Sequence, residues 1–212
     1  MRVRVAGVVH NDLLGRERLL KWLREIKDLE KIPPLFVAVE YDESIFGLIR
    51  RQRPVLRKLA AEAWPSSSHS VLKLIEDSLA YEGDLHEIAF PAVETLWLDQ
   101  GRTVGDPTIL SDYARDRLNI YKSFVLDESK VISNATLLTM SLKAWEEGSE
   151  PQPGGSDRDV KFTQVILDRL KGESRGWAIA IVGSNHASGV EGSMVSHLKS
   201  QGIECQVSQL NP

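Results

Sequence analysis

The sequence predicts an α/β fold with a mainly parallel central sheet, helices on both faces and a helical insertion in the middle of the chain. Short β-rich apolar runs alternate with longer segments whose apolar residues recur at helical spacing. The strongest run, 176–183, is apolar throughout, as is typical of a central parallel strand. With 212 residues, 42% of them hydrophobic, we expect one domain over 1–212 with a helix-rich segment at about 43–147.

The first 41 residues predict a βαβ unit. A β-rich run at 3–9 is followed by helical apolar spacing over 11–31, and two consecutive prolines, Pro33 and Pro34, end that helix. A second strand follows at 35–41. Because βαβ crossovers join parallel strands, we expect the second strand to lie beside the first.

The middle of the chain is mostly helical in pattern. Helical spacing covers 43–63 and 70–94, and the turn-rich sequence WPSSSH at 64–69 separates the two segments. A third strand is expected at 95–99. From 109 to about 147 the pattern is helical again.

The last third returns to alternating elements. Residues 149–156, rich in proline, glycine and serine, predict a mobile surface loop. A helix is predicted over 157–172, because this segment has acidic residues in its first turn and a glycine at its end. After the strand at 176–183, we expect a helix at 192–202 and a last strand at 203–209.

Composition excludes several classes of protein. The net charge is −4 without a basic stripe, so we expect no nucleic-acid partner, and the basic residues of 50–58 are interpreted as a solvated helix face. No apolar run approaches the length of a membrane span, which favours a cytoplasmic protein with no membrane contact. The lone cysteine, Cys205, excludes an internal disulfide. A homo-oligomer is left open.

Polar residues follow the predicted strands at their carboxyl ends. In two places a histidine comes three residues after a glycine that ends a strand, giving His10 and His186. Glu40 closes the second strand and Asp99 the third. Imidazoles and carboxylates are the ligands of divalent metals such as Zn²⁺, Mn²⁺ and Co²⁺. Taken singly, each residue also fits a surface or turn position, and only their coincidence at strand ends favours a site.

Parallel strands bring these residues to one edge of the sheet. Ligands of open α/β sheets bind in the crevice beyond the carboxyl ends of the strands. With Glu40 one strand away from His10, at about 4.8 Å spacing, and the strand before His186 at the centre, we expect all three side chains to converge. The sequence also offers His86, His69 and His197, which we interpret as surface residues.

The motifs GVVH, VAVE and VGSNHASGVEGSMVSHLKSQG resemble those of the TraB/Tiki family of metal-dependent peptidases. That family belongs to a superfamily with ChaN-like haem-uptake proteins and erythromycin esterases. It carries Gly-x-x-His near each end of the chain and a glutamate at the end of the second strand. The resemblance maps His10, Glu40 and His186 onto its functional positions.

Two further segments share the resemblance. In DRDVKF, Arg158 and Asp159 match an arginine-bearing helix start that the family places at its site. The segment 80–102 resembles the family's middle part, in which a strand ends in aspartate, here Asp99.

The resemblance implies a metal-dependent hydrolase of the peptidase type that acts on a peptide or small molecule. His10, Glu40 and His186 would hold a Mn, Co or Zn ion, with Glu40 as third ligand or general base. Arg158 would stabilise an oxyanion or bind a substrate carboxylate, or else be an exposed residue beside its acidic neighbours. Asp159 would share the catalytic role, and Asp99 with Arg158 would bind substrate.

Three other interpretations remain at this point. ChaN-like relatives bind haem, so a non-catalytic ligand-binding protein is one of them. A metal-free esterase with a histidine general base is the second. The third is a fold whose site has lost its activity.

Overall fold

Strands and helices alternate along the chain. The computed structural model describes residues 1–100, 112–125, 130–149, 155–173 and 175–212. The elements of these ranges are, in order, β1 (Arg2–Val8), α1 (Gly15–Leu29), β2 (Phe36–Val39), α2 (Glu43–Arg51), α3 (Arg53–Ala63), α4 (His69–Asp77), a 3₁₀ turn (Tyr81–Gly83), α5 (His86–Ala89), β3 (Glu94–Trp97), α6 (Tyr113–Phe124), α7 (Asn134–Gly148), α8 (Asp157–Leu170), β4 (Trp177–Gly183), α9 (Met194–Ser200) and β5 (Glu204–Gln209).

The five strands form one parallel sheet in the order β3-β2-β4-β1-β5. This confirms the α/β fold class. The expectation that β1 and β2 are neighbours is wrong, because β4 lies between them and pairs with both. Every residue of β4 is buried. A strand with no polar side chain to expose is most stable at the centre of the sheet, where both of its faces and both of its edges are covered.

Each face of the sheet packs against its own helices. The amphipathic α1 buries Leu19, Leu23 and Ile26 against one face, and α5 packs on the same side. Helices α8 and α9 cover the other face, with Phe162 and Ile166 of α8 fully buried there. The prediction of helices on both faces is therefore confirmed.

The middle helices form a separate apolar cluster beyond the carboxyl end of the sheet. Buried residues of α2, α3, α4, α6 and α7 pack together and against Val9, Leu13 and Tyr41, which follow β1 and β2. The expected helix over 43–63 is two helices, since Pro54 starts a new one after a break at Gln52. The helical insertion thus lies next to the strand ends.

The segment 70–94 is not the continuous helix that its spacing predicts. Helix α4 ends at Asp77, and Ala80 adopts a left-handed conformation with φ 54°. A short 3₁₀ turn and the four residues of α5 then lead into β3. The left-handed residue breaks the helix and turns the following segment towards the sheet.

The remaining predictions differ in their boundaries. Helical residues appear at 113–124 and 134–148, while 109–111 and 126–129 of the predicted helix at 109–147 lie outside the described residues. Most of the predicted mobile loop, 150–154, also lies outside them. No helix in the described ranges has the length and apolar character needed to cross a membrane.

A buried charge holds the segment after β1 against α7. Asp12 is fully buried and forms an ion pair with Arg18 of α1. Its carboxylate also accepts hydrogen bonds from the Ser141 hydroxyl at 2.5 Å and from the Trp145 indole at 2.8 Å. The backbone N–H of Leu14 donates to it as well, at 3.0 Å. This one carboxylate therefore connects the sheet, α1 and the helical insertion.

We expect Asp12→Ala to lower the free energy of unfolding by about 3–5 kcal/mol, because it leaves Arg18 and the Trp145 indole without their buried partner. Urea unfolding followed by circular dichroism measures this. The matched control is Asp28→Ala on the exposed side of α1, with an expected change within about 0.5 kcal/mol. A loss for Asp12→Ala as small as the control's would show that the network contributes no stability.

His86 is fully buried, so its interpretation as a surface residue is wrong. The left-handed turn at Ala80 brings α5 under the sheet, and His86 Nε2 lies 2.8 Å from the Thr95 hydroxyl of β3. Among the described residues, its Nδ1 has no hydrogen-bond partner. Burial lowers the His86 pKa to about 4, and nearby Asp84 opposes this only weakly.

We predict that the protein loses stability between pH 6.5 and pH 4 because of His86. In this pH range His86 binds a proton in the unfolded chain but not in the folded protein. Lowering the pH therefore favours unfolding, and the free energy of unfolding falls by about 3 kcal/mol at pH 4. Urea unfolding across this range should show a smaller decline for His86→Gln than for wild type. His69→Gln, at an exposed histidine, should follow wild type. Parallel declines for wild type and His86→Gln would contradict the assignment.

Candidate functional site

Three sequence-predicted residues meet at the carboxyl edge of the sheet. Glu40 directly follows β2, and His10 and His186 follow β1 and β4. Strands β1 and β4 end at the same height in the sheet, because their last residues, Val8 and Gly183, pair with each other. His10 Nε2 lies 3.7 Å from Glu40 Oε2, and His186 Nε2 lies 3.4 Å from Glu40 Oε1. Because β4 separates β1 from β2, the two histidines approach Glu40 from neighbouring strand ends.

Glu40 is buried and strongly hydrogen-bonded. The backbone N–H of Gly183 donates to its Oε2 at 2.5 Å, and the Arg158 guanidinium forms an ion pair with its Oε1 at 3.0 Å. Burial alone would raise the Glu40 pKa, but His10 and His186 outweigh burial and hold that pKa well below its usual range. Glu40 is therefore an anion that contacts residues from the ends of β1 and β4 and from the start of α8.

A second carboxylate holds His10. Glu82 in the 3₁₀ turn is fully buried, and its Oε1 lies 2.5 Å from His10 Nδ1 and accepts a hydrogen bond from the Tyr41 hydroxyl at 2.6 Å. Arg117 of α6 donates to the backbone carbonyl of His10. Burial disfavours the charged form of His10, but Glu40 and Glu82 raise its pKa well above the usual value. Residues of the helical insertion thus orient this ring.

Asp159 holds His186 in the same way. Its Oδ1 lies 2.8 Å from His186 Nδ1 and accepts the backbone N–H of Met194 at 2.7 Å. Its Oδ2 caps α8 together with Ser156. Burial lowers the His186 pKa, yet hydrogen bonds to Asp159 and Glu40 raise it to about 9 overall. Asp159 therefore positions the ring and ties together the starts of α8 and α9.

Arg158 and Asp99 form a pair at the rim of the site. One guanidinium nitrogen of Arg158 lies 3.0 Å from both Asp99 Oδ2 and Glu40 Oε1. Arg158 therefore pairs with Asp99 and Glu40, while 38% of its side chain stays exposed to solvent. Asp99 binds Arg158 and lies 3.9 Å from Lys161 Nζ, so it fixes the arginine beside Glu40.

The glycine before His186 leaves space in the cluster. Neither Gly7 nor Gly183 has positive φ, so a sharp turn is not the reason for a glycine at these positions. A Cβ atom on Gly183 would lie 3.2 Å from Glu40 Oε2 and 3.4 Å from His10 Nε2. A Cβ on Gly7 would instead collide with the Gln209 side chain of β5. Only Gly183 keeps room open between the histidines and Glu40.

The donor chemistry of the cluster fits a divalent metal. Two ligands of one zinc ion lie roughly 3–3.5 Å apart, close to the 3.4 and 3.7 Å between Glu40 and the two histidines. Each imidazole also gives its second nitrogen to a carboxylate, as metal-binding histidines do. In the described part of the chain, however, no three His, Cys, Asp or Glu side chains already surround a common ion position. A metal would need small shifts of these donors.

Glu82 is the principal site residue that the sequence did not predict. It lies 72 residues from His10, within the segment 70–94 whose spacing predicts a helix. The dipeptide YE at 81–82 carries no motif that would single it out. Asp77, Asp84 and Glu87 lie in the same segment, so its acidic character did not distinguish it either.

Comparison of the chain with known proteins identified no relative. No protein-family model matches the chain, and neither the curated proteins nor the solved structures contain a match. The resemblance to the TraB/Tiki family consequently rests on the motifs alone. The functional proposal therefore rests on the geometry of the residues at the strand ends.

Proposed function

We propose that this protein is a hydrolase in which His10, Glu40 and His186 activate water for attack on a peptide, amide or ester carbonyl. One observation carries the proposal. Both Nε2 atoms face the same carboxylate, at 3.7 and 3.4 Å, while each Nδ1 is held by a separate carboxylate, Glu82 or Asp159. A carboxylate on Nδ1 orients the ring and raises the basicity of Nε2. Two histidine–carboxylate pairs whose Nε2 atoms both face Glu40 suit the activation of a water molecule.

In the metal-dependent form of the proposal, His10, His186 and Glu40 hold a Zn, Mn or Co ion. When bound, such an ion lowers the pKa of a water ligand and polarises the carbonyl. The space that Gly183 leaves beside Glu40 and His10 favours this form. A divalent cation that replaced one proton on each imidazolium would also leave the charge of the cluster unchanged.

The other residues orient and stabilise in either form. Glu82 and Asp159 keep the two rings in place. Arg158 is held between Glu40 and Asp99, and its positive charge suits an oxyanion that develops on the substrate carbonyl. The low pKa of Glu40 keeps this carboxylate ionised through the reaction.

A metal-free hydrolase is the second candidate. It is favoured by two contacts that Glu40 already makes, a hydrogen bond from Gly183 to Oε2 and an ion pair of Oε1 with Arg158, which engage both of its oxygens. In this form Nε2 of His186 takes the proton from water in the neutral fraction of the protein, which grows as the pH rises towards the His186 pKa of about 9, and Asp159 stabilises the imidazolium that results.

We expect His10→Ala and His186→Ala each to lower kcat by at least about 100-fold, since each removes a group that acts directly on the water. The assay uses a peptide p-nitroanilide and a p-nitrophenyl ester, with protein purified without a histidine tag. His69→Ala, at the exposed first residue of α4, is the control and should retain wild-type activity.

Chelation separates the two forms of the proposal. Loss of activity with EDTA and its return with Zn²⁺, Mn²⁺ or Co²⁺, matched by elemental analysis, supports the metal-dependent form. Activity that survives exhaustive chelation supports the metal-free form. If wild type hydrolyses neither substrate with any of these ions, or if both histidine variants equal wild type, the protein is not a hydrolase of this kind.

Gly183→Ala should lower activity by at least about tenfold, because its Cβ enters the space beside Glu40 and His10. The cost in stability should stay within about 1–3 kcal/mol, typical of a small overpacking change. The matched control is Gly47→Ala in α2, where a Cβ meets nothing within 4 Å. Full activity in Gly183→Ala would show that this space is not used by water, ion or substrate.

A further inference from the structure

The backbone just before Glu82 adopts a strained conformation. Ala80 has φ 54° and ψ 37°, and it is the only residue other than glycine with positive φ in the part of the chain that the structure describes. An L-residue is strained in this region because its Cβ approaches the following carbonyl oxygen. Such strain persists only where the surrounding structure enforces it, and it is concentrated at functional sites. Here it lies two residues before the carboxylate that holds His10 Nδ1 at 2.5 Å.

One arginine side chain binds the backbone on both sides of this turn. Arg53, in the first turn of α3, donates from Nε to the Leu79 carbonyl at 2.8 Å and from Nη2 to the Ala80 carbonyl at 3.0 Å. Its Nη1 and Nη2 atoms also donate to the Asp84 carboxylate, at 3.0 and 3.3 Å. The guanidinium therefore connects the residues before the 3₁₀ turn (Tyr81–Gly83) with the residue directly after it.

The contact suits an arginine and not a lysine. Its four hydrogen bonds come from three nitrogens in one rigid plane, whereas a lysine offers a single nitrogen. The Arg53 and Asp84 side chains are only 16% and 14% exposed, so water competes weakly for these bonds. Helix α3 is itself fixed by Leu56 and Ala60, which are fully buried among the middle helices. The contact thus links the core of the helical insertion to the turn that carries Glu82.

We propose that Arg53 is a positioning residue, which holds Ala80 in its left-handed conformation and thereby fixes Glu82 where its carboxylate orients His10. The inference rests on the proposed function and adds to it a residue that lies outside the site. Relaxation of Ala80 to a right-handed conformation would redirect the backbone after α4 and move the Glu82 carboxylate with it. Because a displacement of about 1 Å can lower a rate about 100-fold, loss of the contact should appear in kcat.

The first measurement is the NMR signal of the proton on His10 Nδ1, which needs no substrate. A proton in a short hydrogen bond between an imidazole and a carboxylate resonates far downfield, and His10 and His186 should each give such a signal. The His10 signal is identified by its loss in His10→Ala. We expect Arg53→Met and Arg53→Lys to lose the His10 signal and to keep the His186 signal, which shows that the variant is folded.

The second measurement is the rate of p-nitroanilide hydrolysis. Arg53→Met should lower kcat at least about tenfold and change KM by less than about twofold, because it disturbs a group that orients the reacting ring and not one that binds substrate. Adding Ala80→Gly to Arg53→Met should restore part of kcat and of the His10 signal, since glycine adopts positive φ without strain. The matched control is Arg50→Met. Arg50 is half exposed and lies 3.4 Å from the same Asp84, and its loss should change neither measurement.

The two measurements separate failure of this inference from failure of the proposed function. Loss of the His10 signal in both Arg53 variants of a protein that hydrolyses neither substrate would support the positioning role and overturn the hydrolase. Folded Arg53 variants with a full His10 signal and wild-type kcat would overturn the positioning role and leave the hydrolase standing, even if they unfold at lower urea concentrations. An active protein whose kcat stays unchanged when the signal is lost would overturn it too. So would the absence of a downfield His10 signal from wild type.

Discussion

The buried carboxylate of Glu40 organises the carboxyl edge of the sheet. It accepts a hydrogen bond from the backbone N–H of Gly183 on the neighbouring strand, forms an ion pair with Arg158 at the start of α8, and faces both histidines. A buried anion is costly unless donors and cations surround it. The strand ends and α8 therefore have to meet at this point, and their meeting assembles the site.

A second layer of carboxylates determines how the histidines are used. Glu82 and Asp159 each bind an Nδ1 atom, which leaves the Nε2 atoms to face Glu40. The two carboxylates come from different parts of the fold, one from the 3₁₀ turn between α4 and α5 and the other from α8. The 3₁₀ turn thus supplies the group that positions His10, and α8 supplies the group that positions His186. The site depends on both elements being packed correctly against the sheet.

The helical insertion serves the site as well as the core. Its apolar cluster rests on Val9 and Tyr41, the neighbours of His10 and Glu40 along the chain. Through Glu82, Tyr41 and Arg117 it surrounds His10 with polar partners. The buried ion pair of Asp12 with Arg18 anchors the same loop to α7. A segment without site motifs of its own thereby controls one of the two histidines.

The sequence by itself determined the parallel sheet and the edge at which His10, Glu40 and His186 emerge, because apolar periodicity and strand-ending polar residues are local signals. It placed Glu40 beside β1, whereas the burial of both faces of β4 puts that strand between them. Only the tertiary structure decided the contacts of Glu82 and the burial of His86. These depend on where a left-handed residue turns the chain, and on side chains 72 residues apart that no local pattern relates. Local patterns specify elements and their ends, while partners across the fold follow from packing.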